Sequence, residues 1–155
     1  MSCGLALAVA LSLTDPAVAV SAAQPAWQAG DPVAVADEPL FVDIVARAGK
    51  LKTTAEGWAG MDLVAVLGGP DWAAFRTDAL ALAERDLQGH LVLKERGVDG
   101  DLKCILRGIS EDIPVRLTAL ESAATPEERA SALSELIHLF DDNVAVITAP
   151  PQPEV

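Results

Sequence analysis

The chain has 155 residues, 51% of them hydrophobic but only 4% aromatic, with no tyrosine and a formal net charge of −12 from 23 acidic and 11 basic side chains. That size suits one domain with a modest core. Much of its apolar content is alanine, the best helix former, so helices are favoured over a sheet. The charge opposes generic nucleic-acid binding and docking on anionic lipid, and it suits a soluble protein or one whose partner is basic.

Residues 5–13, LALAVALSL, form an apolar run of the length found in export signals, and small residues follow at Ala17-Val18-Ala19 and Val20-Ser21-Ala22. Residues 1–22 are therefore expected to be an export signal, although no Lys or Arg precedes Arg47. Asp15-Pro16 interrupts the run too early for a membrane-spanning helix, so no stable membrane insertion is expected after processing. The implied location is the periplasm or the exterior of a bacterial cell. Residues 23–36, with Pro25, Gly30 and Pro32, read as a flexible linker, and residues 148–155, TAPPQPEV, as a proline-rich tail.

Between them, residues 37–147 carry the helical domain. Asp37-Glu38-Pro39 opens a first helix, whose apolar stripe is Leu40, Phe41, Ile44, Val45, Ala48 and Leu51. The glycines that follow predict a break near Thr53-Thr54. A second piece over residues 55–67 should then present Trp58, Met61, Val64 and Ala65. Gly68-Gly69-Pro70 stops that piece and starts the next, which runs to about Leu87 over Trp72, Phe75, Ala79 and Leu82. Residues 91–93 could extend it or be extended chain. From Leu102 the stripe Leu102, Ile105, Leu106, Ile109, Ile113, Leu117 and Leu120 marks a helix, with a kink expected near Ser110 because of Pro114. Thr125-Pro126-Glu127-Glu128 reads as a capping box. It opens a last helix through Leu133, Leu136, Ile137 and Phe140 to Asp141-Asp142-Asn143. The expectation is an all-α antiparallel bundle of four to five helices.

No zinc, haem-attachment, P-loop or dinucleotide signature is present, and no cofactor is implied. Most acidic pairs lie at predicted helix starts, where a carboxylate favours the dipole. Asp141 and Asp142 lie instead at a predicted helix end, which makes them candidates for contact with a cation or basic partner. Trp27, in the linker, has little to bury it and is a second candidate partner contact. Once residues 1–22 are removed, Cys104 is a lone thiol, expected to be buried as a small apolar side chain; Lys103, Arg107 and His138 would be its partners in a thiol enzyme. These features point to a non-catalytic exported binding protein of the inhibitor, immunity, adaptor or chaperone type. The alternative is a haem- or metal-binding bundle using Met61 and His138, by architectural analogy with small b-type cytochromes, or His90 in place of Met61.

Overall fold

A computed structural model describes residues 35–97 and 101–149. The expected signal and most of the linker and tail lie outside them. Among the described residues there are five helices and no strand. They are α1 (Pro39–Gly57), α2 (Leu63–Leu67), α3 (Pro70–Glu95), α4 (Asp101–Ser122) and α5 (Pro126–Thr148). The four long helices run alternately up and down, with α1 packed on α3 and α5, and α4 packed on the same two from the other side. The fold is the expected antiparallel helical bundle. The short α2 lies against α3 and α5 at one end.

Each long helix buries one stripe. In α1 it is Phe41, Ile44, Ala48, Leu51 and Ala55. The helix runs through Thr53-Thr54 without the expected break, because that stripe continues past it. The two hydroxyls bond back to the carbonyls of Gly49 and Lys50 at 2.9 and 3.0 Å. The break comes later, at residues 58–62. There Gly60 has φ +82°, which glycine adopts without the steric cost of a side chain. Asp62 then caps α2, its Oδ1 accepting from the Val64 amide at 3.0 Å.

The stripe of α3 joins Trp72, Phe75, Ala79 and Leu82 to Ala83, Asp86, Gly89 and Leu93, so residues 91–93 extend the helix. In α4, Pro114 is carried inside a continuous helix. Helix α5 runs on to Thr148, and its buried stripe of Leu133, Leu136, Phe140, Asn143 and Ile147 continues past Phe140. Asp141 and Asp142 are therefore in the body of a helix, not at its end. The reason is the 3.6-residue period, which keeps Asn143 and Ile147 on the inward face after Phe140.

Trp58, Trp72, Phe75 and Phe140 form an aromatic cluster near the end of the bundle that carries α2. The Phe75 ring is 4.7 Å from Trp58, 5.5 Å from Trp72 and 6.1 Å from Phe140, centroid to centroid. Trp58 and Trp72 are the core anchors that their size requires. The Trp72 indole N–H is satisfied by the Glu121 carboxylate at 3.0 Å, and Arg76 braces that carboxylate from α3.

Candidate functional site

The break between α1 and α2 has a second consequence. Met61 and Val64 were expected on one buried face with Trp58, yet Met61 is 54% exposed and Val64 59% exposed. The turn at Gly60 separates them from the α1 stripe, so only Trp58 enters the core. The two exposed side chains instead form one edge of a groove.

The opposite edge is the first part of α5, with Arg129, Ala130, Leu133 and Ile137; the groove between the two edges is open to solvent on one side and has a volume of about 330 Å³. This volume lies at the lower end of the range of small-molecule sites. The lining is mainly aliphatic, and its charged members are Asp62 and Arg129. A smaller cavity of about 280 Å³ lies on the other side of the same turn, against Trp58, and it too is bordered by Met61 and Asp62.

The groove walls are positioned by local chemistry. The Thr125 hydroxyl accepts from the Glu128 amide at 3.2 Å, and the Glu128 carboxylate accepts from the amides of Thr125 and Ala124 at 3.1 and 2.8 Å. This is the capping box read from the sequence. It sets where α5 starts and so where Arg129 stands, one residue beyond the box.

Arg129 differs from the other arginines. Arg47, Arg76, Arg85, Arg96, Arg107 and Arg116 each pair with a carboxylate of the bundle. Arg129 has no such partner among the described residues, and its Nε is withdrawn from solvent without a hydrogen bond. Sequence reasoning missed it because a lone arginine in an acidic helix start carries no spacing signal.

The residues singled out from the sequence are not brought to one place. Met61 lines the groove, but His138 is exposed on α5 and is not part of the lining. Asp141 pairs with Lys52 of α1 at 2.5 Å, and this hydrogen bond holds the ammonium above its ordinary pKa. Asp142 is exposed, and Trp27 lies outside the described residues. His90 is partly buried with Nδ1 2.6 Å from the Lys103 carbonyl oxygen, which makes Nδ1 the protonated nitrogen.

Cys104 is an exposed free thiol, not the buried one expected. Leu102 and Leu106 point inward, and a residue two positions after Leu102 is turned roughly 200° from it on a helix. Among the described residues no group of three or more His, Cys, Asp and Glu side chains could hold a metal ion, and no helix is long and apolar enough to cross a membrane.

No protein-family model, curated protein or solved structure matches the chain.

Proposed function

We propose that this chain is an exported, non-catalytic binding protein of the inhibitor, immunity, adaptor or chaperone type, and that it works through the groove between α2 and α5. The observation that carries this reading is the edge formed by Met61 and Val64, two large apolar side chains left more than half exposed beside a cavity of about 330 Å³. Exposed apolar surface gathered around a concavity is the ordinary mark of a recognition site, and an unbranched methionine adapts to varied partners. The lining supplies contact and orientation: aliphatic walls, one guanidinium, one carboxylate already used as a helix cap, and the Ser134 hydroxyl. The net charge of −12 supports long-range attraction of a basic protein partner toward the surrounding surface. The signal-like run at residues 5–13 supports action outside the cytoplasm.

A photo-crosslinking amino acid placed at Val64, with the same label at the exposed Val115 of α4 as control, tests the reading in envelope extracts of the native source. A discrete adduct is expected from position 64 alone, and it should vanish when Ala130→Trp fills the groove. Identical adducts from both positions, or an adduct indifferent to Ala130→Trp, would remove the groove as the working surface.

A further inference from the structure

We propose that the groove between α2 and α5 takes a medium-length apolar chain ending in a carboxylate, with Arg129 as the anchor for the head group. The inference rests on the groove being the binding surface and names what fills it.

Arg129 carries the argument. The described residues include many more acids than bases, and six arginines have found carboxylates, as given above. Arg129 lines an apolar groove and pairs with none among the described residues. Its Nε is also shielded from water without an acceptor, a state that buried donors rarely keep, because the lost hydration goes unreplaced. The acceptor that suits a guanidinium is planar and anionic. A carboxylate can bridge Nε and one Nη through two parallel hydrogen bonds, satisfying the orphaned donor and neutralising the charge together.

The neighbouring acids do not already serve this purpose. Asp62 Oδ1 accepts the Val64 amide, and Glu128 Oε2 accepts the amides of Ala124 and Thr125. Both carboxylates are thus engaged as caps, and Arg129 is the arginine left without a carboxylate among the described residues. A cationic head group would meet Arg129 with repulsion.

The walls specify the rest of the ligand. Met61, Leu63, Val64, Ala130, Leu133 and Ile137 offer aliphatic contact. At roughly 30 Å³ for each water-sized group, the cavity of about 330 Å³ has room for a chain on the order of ten carbons.

Calorimetric titration of the full chain with decanoate, decanol and decyltrimethylammonium, each below its aggregation threshold, tests the proposal. Decanoate is expected to bind one to one and tightest of the three. Arg129→Gln should weaken decanoate by about ten- to hundredfold, as loss of a charge-assisted pair does, and leave decanol unchanged. Arg129→Lys should recover only part of the loss, since an ammonium cannot form the fork. Ala130→Trp should abolish binding of decanoate and decanol alike, and a urea melt of each variant verifies that it folds. Equal affinities for decanoate and decanol, or an Arg129→Gln protein that keeps the preference, would overturn the carboxylate assignment and leave the groove as a binding surface. If none of the three ligands binds while a crosslink at position 64 still forms, the occupant is a protein segment and the amphiphile inference is wrong. Absence of both would overturn the groove itself.

Discussion

Asp86 on α3 and Asn143 on α5 are wholly buried and meet across the diagonal of the bundle, the Asn143 Nδ2 donating to Asp86 Oδ2 at 2.9 Å. The other oxygen of each, Asp86 Oδ1 and Asn143 Oδ1, has no partner among the described residues. Removal from water pushes the Asp86 carboxyl up from 3.8 to about 8, against the opposing pull of the Asn143 hydrogen bond. The carboxyl is therefore mostly neutral at pH 7. A proton on Oδ1 is also the donor that the Asn143 oxygen lacks, so the neutral form can complete a reciprocal pair.

The pH dependence follows from that shift. The folded Asp86 carboxyl titrates near 8 and the unfolded one near 3.8, so between them the native state holds a proton that the unfolded state has released. Stability is then highest below the unfolded value, falls as pH rises through the window, and levels off above the folded value. The total loss is on the order of a few kcal/mol. Urea melts of wild type and Asp86→Asn at pH 5 and pH 8 should show the difference between the two proteins shifting in favour of Asn at pH 8. A difference that does not change with pH would mean that Asp86 is ionised in the folded protein at both values.

At Thr125 the capping box makes the start of α5 a local and measurable feature. Thr125→Ala removes the acceptor for the Glu128 amide and should cost about 1 kcal/mol, whereas Thr125→Ser keeps the oxygen and should be nearly neutral. Denaturant midpoints of the three proteins would establish the order. An alanine variant as stable as wild type would show that the cap contributes nothing to folding.

Two helical glycines should respond in opposite ways. Around Gly108, exposed on α4, there is nothing within 4 Å of where a Cβ would stand, so Gly108→Ala should stabilise by about 0.5–1 kcal/mol. At Gly89 a Cβ would stand 3.1 Å from Leu106 Cδ1 and 3.4 Å from both Ile44 Cδ1 and Phe41 Cε1. Helix α3 thus lies close to α1 and α4 at this point, and Gly89→Val should cost about 1–3 kcal/mol through overpacking. Thermal melts distinguish the two; a tolerated valine would mean that the three helices can separate there without loss.

Cys104 should react with a water-soluble thiol reagent in the folded protein, because its side chain is exposed. Labelling of a Cys3→Ser variant under native conditions should match the rate in denaturant within about tenfold, in keeping with an accessible thiol. Reaction only after unfolding would contradict the outward placement of position 104 on α4.

Much of the architecture could be read from the chain. The stripe from Leu102 to Leu120, the aromatic positions of α3 and the Thr125–Glu128 capping box were legible because helical period and capping are local rules. The buried pair left a fainter trace: Asp86 and Asn143 occupy inward positions of otherwise apolar stripes. Only packing shows that the two meet and that one carboxyl is thereby kept largely neutral at pH 7. The candidate groove needed tertiary structure altogether. Met61 and Val64 share a helical spacing with Trp58, and nothing local says that the Gly60 turn will expose two of the three. Arg129, likewise, is one base among many acids until the folded chain pairs six other arginines and leaves its Nε shielded. Sequence by itself determined which faces turn inward, since that follows from a 3.6-residue repeat. Which polar groups lost water without gaining a partner was decided by contacts between residues far apart in the chain.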